Sequence, residues 1–308
     1  MSSLRVVFMG SPDFAVPSLE VLADSEHKIV TVVSNPDKRR GRGEKPVPTD
    51  VKRRALELGL PVIDVEDTGS VDFQRTLEEL KPDLLVVVAF RILPKEILSI
   101  PTMGSVNLHA SLLPKYRGAA PIHWAIINGE KETGCTVFFL NEKVDGGEII
   151  GCCKTPIGSE ETTGDLYKRL KNMGAELLRD CVNQIAEGST SGKIQNEQEV
   201  TKAPKLFKEN TKIDFRKSAF EVHNFVRGLN PFPKAWCIYK NLKMNIYETE
   251  PDSDKRLKPG ELRQMDDKLY AGCGEGSVVL KKVQLPGTKV LTGEEFVNGY
   301  DTDTALNE

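Results

Sequence analysis

The sequence predicts an α/β fold, a doubly wound and mostly parallel sheet, followed by a second domain built as a small β-barrel. Two patterns carry this prediction. Up to residue 187, short apolar runs alternate with longer segments of helical periodicity, as in repeated strand-helix-strand units. Beyond residue 230, short apolar segments are separated by Gly, Pro, Asn and Asp, the residues of tight turns, as in a barrel.

The elements of the first half are expected as follows. Short apolar runs predict strands at about residues 4–9, 29–34, 84–90, 104–109 and 135–140. The third of these is apolar at nearly every position, which is typical of a central strand buried on both faces. Helical periodicity predicts helices at about residues 15–24, 49–59, 71–80, 119–128 and 162–187.

A polar stretch separates the two halves of the chain. Residues 189–204 are rich in Gly, Ser, Gln, Asn and Glu and are expected to link a first domain at 1–188 to a second at 205–308. The second domain is expected to contain one helix near 216–229 and strands at about residues 235–240, 242–249, 267–272, 276–284 and 288–291. The polar residues after Tyr300 are expected to fray.

Length and composition restrict the class of protein. A chain of 308 residues exceeds the usual size of one domain, and 39% hydrophobic with 28% charged residues is typical of soluble globular proteins. The apolar run at 4–9 is too short for a membrane span and lacks a signal-peptide pattern, so we expect a cytoplasmic protein with no membrane partner. A net charge of −3 argues against indiscriminate nucleic-acid binding, yet the basic residues at 38–54 form a local cationic stretch.

Two other kinds of site are not supported. The six cysteines show no C-x-x-C spacing and the four histidines are scattered, so we expect buried reduced thiols and no metal. After the first strand, Gly10-Ser11-Pro12 lacks the G-x-G-x-x-G pattern of dinucleotide-binding turns. Pro12 also removes one amide that a pyrophosphate would need, so a nicotinamide cofactor is not expected.

Three polar residues carry the candidate chemistry. Asn107 and His109 are two residues apart at the end of an apolar strand, so their side chains share a face and can converge on one substrate atom. The amide is a fixed donor, and an imidazole can donate or move a proton. Asp145, in an Asp-Gly-Gly turn after another strand, is the natural third member, because a carboxylate beside His109 orients the ring and accepts a proton through water.

Each of these signals has a purely structural interpretation. An isolated Asn-x-His at a strand end more often bonds a turn, and Asp-Gly-Gly is typical of a hairpin. The residues that follow His109, S-L-L-P-K-Y-R-G-A-A-P-I at 111–122, favour the catalytic interpretation.

The segment at 106–122 resembles the signature of the folate-dependent formyltransferase family. Further matches follow in the family's order along nearly the whole chain, at residues 6–15, 41–43, 89–95, 143–147, 205–206 and 227–233. Two positions depart from the family pattern: Gly146 stands where Thr is usual, and the turn at Phe90-Arg91 is one residue shorter than usual.

The resemblance implies a Rossmann-like catalytic domain and a C-terminal barrel similar to an OB-fold. It implies catalytic roles for Asn107, His109 and Asp145, with 10-formyltetrahydrofolate as formyl donor and no metal. It places the folate between two short segments whose apolar walls and exposed main chain suit a flat pterin. Those segments are Ser111, Leu112, Leu113 and Pro114 on one side and Ile92, Leu93 and Pro94 on the other.

The resemblance also implies the acceptor. In family members with this second domain, the acceptor is the free amino group of methionyl initiator tRNA, used in translation initiation, and we expect a monomer. The loop with Gly41, Arg42, Gly43 and Lys45 is expected at the acceptor stem, because glycine permits close approach and arginine pairs with phosphate or guanine edges. A second cationic stretch is expected from Lys205, Lys208, Lys212, Arg216 and Lys217.

Two alternative functions remain at this point. A formyltransferase acting on a small amine, such as a nucleotide or an amino sugar, would not need the second domain. A non-catalytic RNA-binding module would not need Asn107, His109 and Asp145 together.

Overall fold

The computed structural model describes residues 3–39, 45–265 and 267–307. The chain divides into two compact units. The first comprises Met1–Gly118, Thr133–Thr155 and Tyr167–Lys202, and the second comprises Ala119–Glu132, Pro156–Leu166 and Ala203–Glu308.

Strands and helices alternate through the first two thirds of the chain, and strands dominate the last third. The strands are β1 Arg5–Gly10, β2 Lys28–Ser34, β3 Val62–Asp64, β4 Leu84–Val88, β5 Ser105–His109, β6 Arg117–Gly118, β7 Glu132–Phe139, β8 Ile149–Pro156, β9 Lys202–Ala203, β10 Ala235–Tyr239, β11 Leu242–Asp252, β12 Glu261–Met265, β13 Lys268–Gly272, β14 Ser277–Gln284, β15 Leu291–Thr292 and β16 Thr304–Ala305. The helices are α1 Val16–Ala23, α2 Asp50–Glu57, α3 Val71–Leu80, α4 Lys95–Leu98, α5 Pro121–Ile127, α6 Thr163–Ala186, α7 Ala219–Gly228 and α8 Gly293–Gly299.

The first unit contains a seven-stranded sheet in the order β3-β2-β1-β4-β5-β7-β8. The pairs from β3 to β5 are parallel, and β7 runs antiparallel to β5. Every residue of β4 is buried, as expected of a central strand. The predicted doubly wound, mostly parallel sheet is therefore confirmed.

Strand β8, at one edge of this sheet, was not predicted from the sequence. Residues 149–153 are apolar or glycine, yet Thr155 is the only one of the eight residues of β8 that is buried. An edge strand buries less side-chain surface than a central one, so its hydrophobic pattern is weak.

Helices α2 and α3 begin at sites that are marked in the sequence by capping residues. Thr49 and Ser70 cap them by accepting from the amides of Lys52 and Phe73.

The second unit contains an antiparallel sheet in the order β10-β11-β14-β13-β12-β16. Leu306, just after β16, forms an antiparallel bridge to Tyr239 of β10 and nearly closes the sheet into a barrel. Its core includes Val222 and Val226 from α7 together with Met244 and Leu280 from the strands. The predicted C-terminal barrel is confirmed.

Two expectations about the end of the chain were wrong. The strand expected at 288–291 is reduced to β15, and the following residues form α8, which a capping box between Thr292 and Glu295 begins. The residues after Tyr300 do not fray: Leu306 is only 3% exposed, and the Asn307 side chain bonds the main chain of the barrel. Two adjacent apolar residues, Ala305 and Leu306, in a polar segment give no periodicity from which this could be predicted.

Among the described residues, none of the helices has the length and apolar character needed to cross a membrane.

We expect Leu306→Ala to lower the free energy of unfolding of the second unit by about 2–4 kcal/mol, because it empties a buried site that closes the barrel. Leu242→Ala, at a side chain that is 47% exposed, is the matched control and should cost about 0.5 kcal/mol or less. Both tryptophans, Trp124 and Trp236, lie in the second unit, so tryptophan fluorescence during urea unfolding measures the effect. Equal unfolding midpoints for the two variants would contradict the closure by Leu306.

Candidate active site

Strand β5 carries Asn107 and His109 at the carboxyl end of the first sheet. Asn107 is paired with Val87 of β4 and Phe138 of β7, and His109 is paired with Thr136 of β7. The two side chains share one face of the sheet because they are two residues apart on a strand. Asn107 is partly exposed, and none of the hydrogen bonds formed among the described residues uses its side chain. Its amide is therefore available to a ligand.

The imidazole of His109 is buried and held by main chain. Its Nε2 lies 2.9 Å from the carbonyl oxygen of Tyr116. A carbonyl can only accept, so Nε2 carries the hydrogen and donates it. Nδ1 then faces Asp145, whose Oδ2 is 3.8 Å away. This separation exceeds that of a direct hydrogen bond, so the two groups can exchange a proton only through a third group placed between them.

The carboxylate of Asp145 lies in a tight turn. Its Oδ2 accepts a hydrogen bond of 2.8 Å from the main-chain amide of Gly118. The residue itself has a left-handed backbone, with φ at +50°, which is uncommon outside glycine. At Gly147 a Cβ atom would lie 1.6 Å from the carbonyl oxygen of Phe139, so this position requires glycine.

Gly146 stands at the position where the resembled family usually has Thr. A Cβ atom there would lie 2.8 Å from the Cβ of Lys143, which is closer than real Cβ contacts. The amide of Gly146 also donates to the Lys143 carbonyl, at 3.2 Å. In this chain the turn therefore closes tightly on Lys143, and glycine leaves it the room to do so.

Two residues beside Asp145 were not predicted from the sequence. Gln195 is 6% exposed, and its Nε2 donates to the carbonyl oxygens of Asp145 at 2.9 Å and Gly147 at 2.7 Å. Its Oε1 accepts from Nε of Arg117 at 3.1 Å and from Nη2 at 2.8 Å. The signal was weak: Gln195 is one amide in a polar stretch, and nothing in its sequence neighbours distinguishes it from an exposed one.

The stretch around Gln195 lies along the candidate site, and we call residues 193–202 the strap. Lys193 exchanges two main-chain hydrogen bonds of 2.8 Å with Ile149 of β8. Thr201 accepts from the amide of Arg117 through its carbonyl at 2.9 Å and from the amide of Tyr116 through its hydroxyl at 2.8 Å. The strap is thus bonded to the segment that holds His109 and Asp145.

The first expected folate wall, at residues 111–114, forms a firmly held turn just after β5. The hydroxyl of Thr136 donates to the carbonyl of Ser111 at 2.7 Å and accepts from the amide of Leu113 at 3.1 Å. The Ser111 hydroxyl donates to the Lys115 carbonyl at 2.7 Å. Leu113 is buried and Leu112 is partly exposed, so the turn offers main chain and one apolar side chain.

The second expected wall follows β4, the neighbour of β5. Ile92 is 78% exposed and Leu93 belongs to the core, while Pro94 immediately precedes α4. The structure therefore presents Ile92 rather than Leu93 as an apolar surface at this edge.

The shortened turn between β4 and Ile92 is anchored by Arg91. Its Nε donates to the side-chain oxygen of Asn35 at 2.6 Å, and its Nη1 donates to the carbonyl of Glu66. The amide of Asn35 in turn donates to the buried hydroxyl of Ser11 at 2.8 Å. These bonds tie the loops that follow β1, β2 and β4 to one another at the carboxyl edge of the sheet.

The expected tRNA loop is described only in part. Gly41, Arg42 and Gly43 lie outside the described residues. Lys45 is exposed, and Lys38 and Val47 exchange two main-chain hydrogen bonds.

Several lysines of the second unit gather around one tryptophan. The ammonium groups of Lys212 and Lys243 lie 5.8 and 5.2 Å from the ring centre of Trp236, whose Nε1 donates to the carbonyl of Lys208 at 3.0 Å. Burial, together with repulsion from Lys208 and Lys234, lowers the pKa of Lys243. We call Lys208, Lys212, Lys234, Lys243 and Trp236 the Trp236 surface. Its crowded positive charge would be relieved by a bound anion.

The other residues of the expected cationic stretch, Lys205, Arg216 and Lys217, have different surroundings. Lys205 is exposed and lies 5.5 Å from the ring centre of Phe207, which is itself 54% exposed. Arg216 and Lys217 are paired with Asp214 and Glu221. Their charges are therefore partly neutralised, and the role of these two residues in the expected cationic stretch stays a prediction.

Metal and thiol chemistry have little support in the part of the chain that the structure describes. Within it, no group of three or more His, Cys, Asp or Glu side chains is arranged to hold a metal ion. Four cysteines are buried, but Cys152 is exposed and Cys153 is partly exposed, so the expectation of buried thiols was wrong for these two. They lie on the edge strand β8, where side chains alternate between the sheet faces.

Comparison with known proteins decides the family. Residues 4–182 match the formyl transferase family model, and residues 205–301 match the model of the formyl transferase C-terminal domain. The methionyl-tRNA formyltransferase of Chlorobium luteolum is 44% identical over 304 residues, which cover 96% of this chain and 97% of the relative. The chain belongs to the methionyl-tRNA formyltransferase family.

Other relatives extend this result. The methionyl-tRNA formyltransferase of Natranaerobius thermophilus is 39% identical over 310 residues and covers 98% of this chain and 99% of the relative. An N-formyltransferase from Helicobacter canadensis, solved with folinic acid and dTDP-3-aminofucose, has a TM-score of 0.69 at 22% identity over 90% of this chain and 98% of that chain. The sugar 3N-formyl transferase WlaRD has a TM-score of 0.68 at 19% identity over 94% of this chain and 100% of that chain. These two structures share the fold.

We expect Gly147→Ala to destabilise the first unit, because the added Cβ collides with the Phe139 carbonyl and must displace the Asp145 turn. The melting temperature in calorimetry should fall by about 5 °C or more. Gly69→Ala is the matched control in the same unit, since its Cβ would make an ordinary contact of 3.4 Å with Asp67. Indistinguishable melting temperatures for the two variants would contradict the tight turn.

Proposed function

We propose that this protein transfers the formyl group of 10-formyltetrahydrofolate to the amino group of methionyl initiator tRNA, as a monomer in the cytoplasm. The product is N-formylmethionyl-tRNA, which serves translation initiation. The observation that carries the proposal is the placement of Asn107, His109 and Asp145 around one strand end, in a chain matched over its whole length by methionyl-tRNA formyltransferases.

Asn107 acts on the formyl group. In formyl transfer the acceptor nitrogen attacks the formyl carbon, and the carbonyl oxygen becomes negatively charged. Asn107 has a free amide on the open side of β5, and its NH₂ keeps its protons at working pH. A fixed donor aimed at the developing oxyanion typically contributes a few kcal/mol to the transition state.

His109 and Asp145 handle the proton. The gap of 3.8 Å between Nδ1 and Oδ2 leaves space for the attacking amine or a water molecule to bridge them. The amine loses a proton as it attacks, and this proton passes through the bridge to Nδ1, where Asp145 stabilises the imidazolium that forms. The imidazolium then gives the proton to the departing folate nitrogen, which restores the neutral ring. The Tyr116 carbonyl fixes the tautomer of His109 that leaves Nδ1 on the Asp145 side.

The folate is proposed to lie at the carboxyl edge of β4 and β5. The turn at 111–114 supplies main-chain groups that Thr136 holds in place, and Ile92 supplies an exposed apolar face after the neighbouring strand. Leu93 and Pro94 support this loop from the core side. A flat pterin needs such an apolar surface and a fixed edge of donors and acceptors.

The tRNA is proposed to contact two surfaces. One is the loop with Gly41, Arg42, Gly43 and Lys45. The other is the Trp236 surface with Lys205, where aromatic rings and ammonium groups interleave, as in surfaces that contact both phosphates and unstacked bases.

A small-amine acceptor is the alternative. Its support is the likeness of fold to sugar formyltransferases, at 19–22% identity. A small amine has no use for the Trp236 surface, so the cluster of lysines favours the tRNA.

We expect Asn107→Ala, His109→Ala and Asp145→Ala each to lower kcat by about 100-fold or more, because each removes a group that acts in the transition state. Asn172→Ala, an exposed amide of the same unit, should retain full activity. The assay measures N-formylmethionyl-tRNA formed from 10-formyltetrahydrofolate and charged initiator tRNA. If one of the three variants has a normal kcat, the residue substituted in it does not have the proposed role.

We expect Lys208, Lys212 and Lys243 changed together to Gln to raise the KM for methionyl-tRNA by about tenfold or more at roughly 150 mM salt. The triple change should also make tRNA binding less sensitive to salt, by roughly one unit of log-log slope for each phosphate that is no longer neutralised. Tetrahydrofolate binding should not change. The control changes Lys281, Lys282 and Lys289, which face Glu248, Glu250 and Glu295 in the same unit. Equal effects of the two triple variants would refute a specific role for the Trp236 surface.

The loop is tested by Arg42→Ala. This variant should likewise weaken the use of methionyl-tRNA while leaving tetrahydrofolate binding nearly unchanged, since loop and folate site are proposed as separate surfaces. If the reaction proceeds unaltered and independent of salt, the acceptor is a small amine.

A further inference from the structure

We infer that Gln195 and Arg117 are positioning residues for the proton transfer, acting through Asp145. The inference rests on the proposed function, which gives Asp145 its part in that transfer. It makes Gln195 the residue of the strap that supports the active site.

The backbone of Asp145 needs external support. A non-glycine residue with φ at +50° is disfavoured, and such a conformation persists when neighbouring groups enforce it. Gln195 supplies this enforcement, because its Nε2 bonds the carbonyls of Asp145 and Gly147 together. The two hydrogens of one amide thus close the turn from both ends.

Arg117 fixes which end of the Gln195 amide faces the turn. A guanidinium only donates, so the atom that accepts from its Nε and Nη2 must be the amide oxygen. The NH₂ group is then forced toward the two carbonyls. The two donors of Arg117 converge on this one oxygen and fix its position, and the single ammonium group of a lysine could not reproduce this geometry.

The carboxylate of Asp145 is held by the residue next to Arg117, since the Gly118 amide donates to Oδ2. The residue on the other side of Arg117, Tyr116, holds the His109 ring through its carbonyl. Residues 116–118 therefore set the distance between Nδ1 and Oδ2, and Gln195 transmits the position of Arg117 to the backbone of Asp145. Loss of the Gln195 bonds should let the turn relax and change that distance.

The test is Gln195→Glu, which keeps the shape and the acceptor for Arg117 but removes the donors and sets a carboxylate oxygen against two carbonyls. We expect kcat to fall by about 10- to 100-fold, with the KM values for folate and tRNA within about threefold of normal, and the pH profile of kcat to shift. Gln198→Glu makes the same chemical change at an exposed glutamine of the strap and should leave all of these unchanged.

A double-mutant cycle separates positioning from a general structural role. In an Asp145→Asn background, Gln195→Glu should lower the remaining kcat by less than about twofold, because the group it positions is already gone. An equal loss of kcat in both backgrounds, or an unchanged kcat and pH profile in the single variant, overturns the inference. Arg117→Lys, which keeps the charge but not the bidentate geometry, should reproduce the kcat loss of Gln195→Glu and gives the same decision independently.

Failure of the proposed function is distinguishable from failure of this inference. If the unmodified protein does not formylate methionyl-tRNA, the proposed function fails. If the unmodified protein is active and Asp145→Asn is inactive while Gln195→Glu behaves as the unmodified protein, only the positioning role fails.

Discussion

The hydrogen bonds made by residues 116–118 hold both halves of the His109–Asp145 pair. The carbonyl of Tyr116 takes the hydrogen of Nε2, and the amide of Gly118 bonds the carboxylate. Tyr116 itself has a left-handed backbone, with φ at +60°, and its amide is held by Thr201 of the strap. The geometry of the proposed proton transfer thus depends on a short segment that the strap holds in place.

Several residues of the first unit have a strained backbone. Ala89 at the end of β4, Tyr116 and Asp145 all have positive φ, each at a cost on the order of 1–3 kcal/mol. At Asp145 and Tyr116 the bonds from Gln195 and Thr201 offset this cost. The result is a site with donors and acceptors fixed before the substrate arrives, which is how electrostatic catalysis avoids reorganising at the moment of reaction.

Residue positions that follow from a local pattern could be predicted, and positions that depend on contacts between distant segments could not. The shared face of Asn107 and His109 could be predicted, because the alternation of side chains along a strand is enough to place them there. Gln195 is buried and bonded to Arg117, Asp145 and Gly147, which are distant in the sequence, and no local pattern encodes such contacts. The Trp236 surface likewise joins lysines from separate strands and loops, and Leu306 closes the barrel from a polar tail.

The first unit holds the candidate catalytic residues at one edge of its sheet, and the second unit presents a cationic, aromatic surface. We propose that formyl transfer to methionyl-tRNA proceeds through the His109–Asp145 pair. The most direct test incubates the protein with 10-formyltetrahydrofolate and methionyl initiator tRNA and follows N-formylmethionine by mass spectrometry, beside Asp145→Asn. We predict rapid formylation by the unmodified protein and a loss of about 100-fold or more in the variant. Formylation of a small amine in preference to the tRNA, or equal rates for the two proteins, would contradict the claim.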